Sequence, residues 1–322
     1  MKAQTTPEEK PIARRPRRWL RILKRVIITL VIIIIILIYG VLPFWLSGLV
    51  TSAGTRSMDR QLTTTPASLG AEYKDIEFQT SDGVTISGWL LPSRGTRATI
   101  IYSHGLFRSR RELLDRAVEL WRLGYGALLY DSRNHGESGK AKVSLGYFER
   151  LDAEAAARYL QEASPNTRII MFGISMGAAT ALLAAAETPE VRAVISDSSF
   201  LSFEDTTTHH VKLFLKLPAF PLANEIRFMI EKRAGFDGSK LDALEAVKAL
   251  GTRPAMFIAA QYDPRMPADI GQKLYDASAA TTKRDLLIVD GPGAHIHGHA
   301  YQADPRLYVE RVAAFLDSAL RD

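Results

Sequence analysis

A run of 25 residues without a charged side chain, Val26 to Val50, limits the fold of this chain more than any other feature of its sequence. Its first part, up to Leu42, consists almost entirely of Ile, Leu and Val. At about 1.5 Å rise per residue, roughly 20 helical residues cross the hydrocarbon core of a bilayer, so the run suffices even if Pro43 ends the regular helix. A buried core helix seldom runs this long without a polar residue. The run therefore predicts one transmembrane helix over residues 26–50.

A basic cluster precedes this run. It comprises Arg14, Arg15, Arg17, Arg18, Arg21, Lys24 and Arg25. The positive-inside rule keeps such residues cytoplasmic, which predicts a cytoplasmic tail over residues 1–25 and a folded part on the far side of the membrane. The sequence thus predicts a single-pass membrane protein with an extracytoplasmic domain. The alternative is a cleaved signal peptide with a small-residue site at Thr51 to Ala53, but the run exceeds the usual length of such a core.

The net charge of +6 comes from the N-terminus. Residues 1–25 hold nine of the 41 Lys and Arg and two of the 35 Asp and Glu, which leaves 32 basic and 33 acidic residues beyond them. A near-neutral folded part gives no reason to expect nucleic acid as a partner.

The chain has no cysteine, which excludes disulfides, a thiolate nucleophile, thiolate metal sites and a lipid anchor on cysteine.

Beyond a predicted linker over residues 51–72, short apolar runs alternate with longer amphipathic ones, the pattern of strands joined by crossover helices. Candidate strands are Tyr73–Gln79, Thr85–Leu91, Ala98–Ser103, Gly126–Asp131, Arg168–Gly173, Val191–Asp197, Pro254–Ala260 and Asp285–Asp290. Helices are predicted to begin near Arg108, Glu149, Met176, Pro267 and Pro305. Two strands precede the first helix, which predicts an α/β domain over residues 73–322 with an antiparallel start and a mostly parallel, doubly wound, eight-stranded sheet. Residues 198–244 break the alternation and are predicted to form an inserted helical cap.

The candidate nucleophile is Ser175. It lies in a G-x-S-x-G motif, Gly173 to Gly177, which directly follows a predicted strand and precedes an Ala-rich helix former. Glycines on both sides allow the close backbone approach of a sharp strand-to-helix turn, with the serine hydroxyl at the helix N-terminus. The alternative is a glycine-rich turn with an ordinary serine, and the coincidence of strand, motif and helix argues against it.

A serine hydroxyl is a poor nucleophile at neutral pH, so an acid and a histidine base should follow it in the chain. Asp263 follows the strand that ends at Ala260, where sites of open α/β sheets lie, and is the candidate acid. The alternative is an aspartate that only forms the turn before Pro264.

The candidate base lies in the loop after the last strand, which carries His295, His297 and His299. Alternating histidines also suit a metal site, but no nearby carboxylate or second cluster supports one, so neither a metal nor another cofactor is expected. His104 precedes the nucleophile in the chain and is interpreted as a loop-fixing residue.

The amides of Leu106 and Met176 are the candidate oxyanion-hole donors, because this kind of fold uses one amide from the loop after the third strand and one from the residue after the nucleophile.

With these motifs in place, the chain from about residue 73 to 320 resembles the α/β-hydrolase superfamily, and within it the Bem46-like serine hydrolases, which include membrane-bound members. The stretches that carry the resemblance are His104-Gly105, Asp131 to Ser138, the Gly173 to Gly177 motif, Tyr262 to Pro264 with Met266-Pro267, and Tyr301, Asp304, Pro305 and Tyr308. The family pattern places a histidine four residues before that tyrosine, so the resemblance selects His297 as the base. The loop is a residue or two longer than usual, which keeps His295 as the alternative base. In such proteins the stretch from Asp131 to Ser138 is a structural turn near the site, with no catalytic role.

The sequence therefore predicts a membrane-anchored serine hydrolase that cleaves an ester or thioester bond through an acyl-enzyme, without a cofactor. The apolar cap and the anchor suggest a small-molecule or lipid-like acyl substrate. The fold hosts many reactions, so amide or peptide hydrolysis, a metal-dependent hydrolase using the three histidines, and a non-catalytic membrane-tethered binding protein remain alternatives.

Overall fold

A computed structural model of the chain describes residues 18–95, 98–280 and 283–321. The chain divides into two compact units, Met1–Leu42 and Pro43–Asp322. Residues 1–17 of the predicted cytoplasmic tail, with Arg14, Arg15 and Arg17 of the basic cluster, lie outside the described residues.

The predicted apolar helix is present and longer than the sequence indicates. Helix α1 spans Arg18–Ile36 and has no buried residue, a π-helical turn spans Leu37–Val41, and α2 spans Leu42–Thr51. Pro43 does not end the helix, which continues to Thr51, and the π-helical turn lies just before it, where such a local adjustment accommodates a proline. Of the helices that the structure describes, only Arg18–Thr51 is long and apolar enough to cross a membrane, a property that signal sequences share.

The rest of the described chain alternates strands and helices much as predicted. The strands are β1 Lys74–Gln79, β2 Thr85–Leu91, β3 Ala98–Ser103, β4 Gly126–Tyr130, β5 Arg168–Ile174, β6 Val191–Asp197, β7 Ala255–Ala260 and β8 Arg284–Val289. The further α-helices are α3 Ser57–Arg60, α4 Leu114–Arg122, α5 Glu149–Ala163, α6 Met176–Glu187, α7 Phe203–His210, α8 Leu222–Ala234, α9 Ala243–Ala249, α10 Ala268–Ala277, α11 Ala300–Ala303 and α12 Pro305–Leu320.

The strands form one eight-stranded sheet in the order β1-β2-β4-β3-β5-β6-β7-β8. β2 pairs antiparallel with both β1 and β4, and all other neighbours are parallel. Every residue of β3, β4 and β7 is buried, because helices cover both faces of a parallel sheet. The predicted α/β-hydrolase fold with a mostly parallel sheet is confirmed.

Helices α7, α8 and α9 form the insertion between β6 and β7, in the region where the sequence predicts a cap. Residues 51–72 join α2 to β1, as a linker would, but they are also packed on the folded unit. The carbonyl of Thr51 accepts from the N–H of Val143, and that of Ala53 accepts from the side chain of Asn134. The segment is therefore held in place at its first residues.

The turn from β5 into α6 depends on two glycines. A Cβ built on Gly173 would overlap the carbonyl group of Gly177, and one built on Gly177 would overlap the carbonyl group of Ser103 at the end of β3. Only a residue without a side chain allows this approach of helix and strands. The turn thus fixes where α6 begins relative to the two central strands.

We expect Gly177→Ala to destabilise the protein strongly, because the added methyl meets backbone that cannot rotate away. Overpacking costs about 1–3 kcal/mol, which for a domain of this size lowers the melting temperature by roughly 2–10 °C. Thermal unfolding of the detergent-solubilised chain measures this. Gly95→Ala is the matched control, because a Cβ there meets nothing within 4 Å. Equal melting temperatures for the two variants would contradict the packing argument.

Candidate active site

The structure brings Ser175, His297 and Asp263 into one hydrogen-bonded chain. The Oγ of Ser175 lies 2.7 Å from Nε2 of His297, and Nδ1 of the same ring lies 2.7 Å from Oδ2 of Asp263. These residues come from three separate loops at the carboxyl ends of β5, β7 and β8. In this arrangement Nε2 of the ring can take the proton of the serine hydroxyl, while the carboxylate accepts a hydrogen bond from the N–H at Nδ1.

The carboxylate of Asp263 is fixed at both oxygens. Oδ1 accepts hydrogen bonds from the backbone N–H groups of Arg265 and Met266, at 2.8 and 3.1 Å. Burial raises the pKa of Asp263, but the hydrogen bond and charge of His297, together with these N–H groups, lower the pKa more. The pKa therefore lies below its ordinary value, and the carboxylate stays ionised beside the ring.

Ser175 has an unusual backbone conformation, with φ 56° and ψ −120°. A positive φ is strained for a residue with a side chain, and such strain is found at functional sites that the surrounding structure fixes. Here the N–H of Ser175 donates to the carbonyl of Asp197 on the neighbouring strand. The hydroxyl is thereby held at the start of α6.

Leu106 and Met176 are the two residues whose amides the sequence predicts to bind an oxyanion. Leu106 and Met176 both line the cavity that contains Ser175. Within the part of the chain that the structure describes, the N–H groups of these two residues donate to no other group. They are thus available to a substrate oxygen.

The loop that carries Leu106 is held by the turn from Asp131 to Ser138. Oδ1 of Asp131 accepts from the N–H of Arg110 at 2.8 Å, and Nε2 of His135 accepts from the N–H of Phe107 at 3.3 Å. His104 is fully buried and its Nε2 accepts from the N–H of Ser132 at 3.0 Å. His104 therefore fixes this loop, in keeping with the sequence-based interpretation.

The other loop histidines are not part of the hydrogen-bonded chain. His295 is exposed and His299 is half-buried, and only His297 contacts Ser175 and Asp263. No group of three or more potential ligands among the described residues could hold a metal ion. The geometry thus favours His297 over His295 as the partner of the serine.

Comparison with known proteins identifies the family. Residues 94–285, more than half of the chain, match the family described as serine aminopeptidase, S33 (Hydrolase_4). The chain belongs to this α/β-hydrolase family.

Similar proteins agree with this membership. The uncharacterized protein YqkD of Bacillus subtilis is 27% identical over 239 residues, which are 73% of this chain and 76% of YqkD. Protein bem46 of Schizosaccharomyces pombe is 26% identical over 221 residues, 65% of this chain and 66% of bem46. The Pyrococcus furiosus esterase Pf2001 superposes with a TM-score of 0.65 and 28% identity, covering 80% of this chain and 96% of the esterase. The expected resemblance to Bem46-like α/β-hydrolases is confirmed.

Two charged residues that the sequence analysis did not single out support the site of this hydrolase. Arg116 of α4 is buried, and its guanidinium donates to the carbonyl of Gly298 at 3.0 Å, next to His297. The guanidinium also lies over the ring of Tyr301. Arg116 therefore fixes the loop that holds the histidine. Nothing in the sequence marks it, because the contact joins residues 182 positions apart.

The second such residue is Glu112, which precedes α4. Its Oε2 accepts from the N–H of Gly105 at 2.7 Å, and its Oε1 lies 3.0 Å from Nε of Arg108. A Cβ on Gly105 would lie 3.2 Å from this carboxylate and 3.4 Å from Cβ of Ser175. Burial raises the pKa of Glu112 to about 7, although the hydrogen bond from Gly105 opposes this.

The hydrolase has a mainly apolar cavity of about 290 Å³ at Ser175. Its wall is built from α2, the loop after β3, the cap and the loop after β7. The lining residues are Leu46, Leu49, Val50, Leu106, Phe107, Leu145, Ser175, Met176, Phe200, Thr206, Thr207, His210, Val211, Phe214, Leu215, Ile226, Ile230, Arg265 and Met266. Burial lowers the pKa of His210 to about 4, so this wall residue is neutral at pH 7. The contribution of α2 to this cavity could not be predicted from the sequence.

The pKa of Glu112 predicts a pH-dependent stability. Its ordinary value is 4.5 and its folded value is about 7, so between these pH values the folded protein keeps a proton that the unfolded chain has released. The stability of the wild type therefore falls as the pH rises through this window. We expect the melting temperature of Glu112→Gln, relative to wild type, to rise from pH 4.5 to 7 and then level off.

Glu119→Gln is the control, because Glu119 is exposed and pairs with the exposed Arg122. Melting temperatures of both variants, measured in steps of pH, provide the comparison. A difference between Glu112→Gln and wild type that stays constant with pH would contradict the assigned protonation of Glu112.

Proposed function

We propose that this chain is a membrane-anchored serine hydrolase that cleaves an ester or thioester acyl bond. Ser175 is the nucleophile, His297 the base and then the acid, and Asp263 the residue that orients and stabilises the imidazolium. The observation that carries the proposal is the hydrogen-bonded chain from Ser175 through His297 to the buried carboxylate. The positive φ of the serine at the start of a helix supports it.

In the acylation step, Oγ of Ser175 attacks the carbonyl carbon of the substrate, and its proton moves to Nε2 of His297. The oxygen of the tetrahedral intermediate carries the negative charge, and the N–H groups of Leu106 and Met176 are proposed to bind it. When the intermediate collapses, the bond to the leaving alkoxide or thiolate breaks and His297 protonates the leaving group. Asp263 stays ionised throughout, consistent with its lowered pKa.

In the deacylation step, a water molecule attacks the acyl-enzyme and gives its proton to His297. Collapse of the second intermediate releases the carboxylic acid, and the proton returns to Oγ of Ser175. The same two amides serve both steps, because both intermediates place the oxyanion at one position. No cofactor takes part in this sequence of steps.

The walls of the cavity favour an acyl substrate over the amino-terminal substrate of an aminopeptidase. An aminopeptidase site needs an anionic group to bind the substrate ammonium. None of the described residues that line the cavity is an Asp or a Glu, and Arg265 contributes a positive charge instead. Leu, Val, Ile, Met and Phe side chains make up most of the wall, which suits a hydrocarbon chain.

The packing of residues 43–53 supports a retained anchor rather than a cleaved signal peptide. Cleavage near Ala53 would remove Leu46, Leu49 and Val50 from the wall of the cavity. It would also cut beside two carbonyls, those of Thr51 and Ala53, that are hydrogen-bonded to the folded unit. We therefore propose residues 26–50 as a permanent membrane anchor with the N-terminus in the cytoplasm.

We expect a fluorophosphonate probe to label the full-length protein at Ser175, because the probe reacts with activated serines. Ser175→Ala and His297→Ala should abolish labelling, and Asp263→Asn should slow the turnover of acyl esters roughly 10³- to 10⁴-fold through loss of ring orientation. Mass spectrometry locates the adduct, and ester hydrolysis gives the rates.

His295→Ala is the matched control for the base and should keep near-wild-type labelling. If His295→Ala abolished labelling and His297→Ala did not, the assignment of the base would be wrong. Activity that survives Ser175→Ala and is lost with a chelator would instead indicate a metal-dependent hydrolase. A folded protein without labelling or turnover would indicate a binding protein.

The proposed topology is testable because the chain has no cysteine of its own. We expect Arg306→Cys, whose side chain is highly exposed in the folded unit, to react with an impermeant maleimide in intact cells. Lys10→Cys should react only after the membrane is permeabilised. The opposite pattern would place the folded unit in the cytoplasm, and recovery of Arg306→Cys in a soluble fraction without residues 1–50 would show cleavage.

A further inference from the structure

The apolar segment has a second role in the folded unit beyond that of an anchor. Leu46, Leu49 and Val50 of α2 line the same cavity as Ser175, opposite residues of the cap and of the loop after β7. All three belong to the uncharged run that the sequence predicts to lie in the bilayer. The end of the membrane segment is therefore a wall of the candidate active site.

The cap holds this wall in place through Arg233 of α8. The guanidinium donates to the carbonyl of Phe44 at 3.1 Å and to Oγ of Ser47 at 3.2 Å. It also lies 4.3 Å from the centre of the Phe44 ring. Ser47 is fully buried in this contact. Because Arg233 makes two hydrogen bonds and a cation–π contact with α2, the helix is docked on the cap in one specific position.

Large apolar side chains near this wall are exposed to solvent. Phe44 and Trp45 of α2 are 60% and 61% exposed, and Phe214 of the cap, which also lines the cavity, is 59% exposed. Aromatic side chains at the end of a membrane segment are typical of the membrane–water interface. This exposed surface of α2 and the cap, beside the cavity, thus has the apolar and aromatic character of a surface that contacts lipid.

We infer that α2 is an acyl-binding element, and that the substrate is a long-chain acyl ester resident in the bilayer, whose chain enters beside Leu46, Leu49 and Val50 to place its carbonyl at Ser175. The inference rests on the proposed function and narrows its substrate class. In this arrangement the acyl chain passes from lipid to an apolar wall, so it is never transferred into water.

The first test measures chain-length selectivity with p-nitrophenyl esters from acetate to dodecanoate. The full-length protein is reconstituted in phosphatidylcholine vesicles. Each added methylene that enters the cavity should raise kcat/KM about three- to fourfold until the cavity is filled. Val50→Trp should lower kcat/KM for the long esters about tenfold more than it lowers kcat/KM for acetate, because the added ring fills the chain site and not the reacting centre.

Val41→Trp is the matched control, since Val41 lies in the same apolar run, is exposed, and does not line the cavity. It should leave the whole series unchanged. Leu46→Ala enlarges the cavity and should move the preferred chain length upward, which keeps the test informative if Val50→Trp does not fold. Equal losses on acetate and dodecanoate, or equal effects of Val50→Trp and Val41→Trp, would overturn the role of α2.

The second test measures the route to the site with a fluorogenic long-chain glycerolipid ester that does not exchange between vesicles. Its initial rate of hydrolysis should be at least about tenfold higher when protein and ester share a vesicle than when each is in its own vesicle. Equal rates in the two arrangements, or no hydrolysis in either, would overturn entry from the bilayer.

Fluorophosphonate labelling of Ser175 and acetate hydrolysis are measured on every sample. If both persist while chain-length selectivity is absent, the inference fails and the proposed function stands. If both are absent in the folded wild type, the proposed function fails as well.

Discussion

The close approach of α6 to the central strands is the contact on which the rest of the site depends. Gly177 lies directly against the carbonyl of Ser103, and Gly173 lies directly against the backbone of Gly177. This contact sets the distance between the start of the helix, where Ser175 is held at a positive φ, and the loop after β3, where Leu106 lies. The proposed nucleophile and the proposed oxyanion site, which would act on one carbonyl group, are therefore positioned by the same pair of glycines.

Buried charges then hold the loops that this contact leaves free. The guanidinium of Arg133, in the turn that supports the loop of Leu106, donates to both oxygens of Asp82 and to one oxygen of the buried Asp152. Arg116 holds the loop of His297 through the carbonyl of Gly298. The hydroxyl of Tyr308 donates to the buried carboxylate of Asp197 at 2.7 Å. Buried ionic groups contribute little net stability, but removing one partner leaves the other uncompensated, so such networks specify one loop conformation.

The sequence could predict the sheet because parallel strands buried on both faces appear as continuous apolar runs, and β3, β4 and β7 are runs of this kind. Ser175 and Asp263 could be named because they directly follow strands whose carboxyl ends share one edge. The choice of His297 needed a family pattern, since three alternating histidines look alike in composition. Arg116, Glu112 and the packing of α2 could not be predicted, because they depend on contacts between segments far apart in the chain.

The docking of α2 also determines where the proposed membrane anchor can be removed to obtain a water-soluble form. A truncation at residue 51 would follow the boundary that hydrophobicity alone gives. It would remove Phe44 and Ser47, the two hydrogen-bond acceptors of Arg233, and would open the cavity on one side. A truncation at Pro43, where the compact unit begins, would keep them. Such a soluble form would retain Phe44 and Trp45 on its surface, so a mild detergent belongs in its purification from the start.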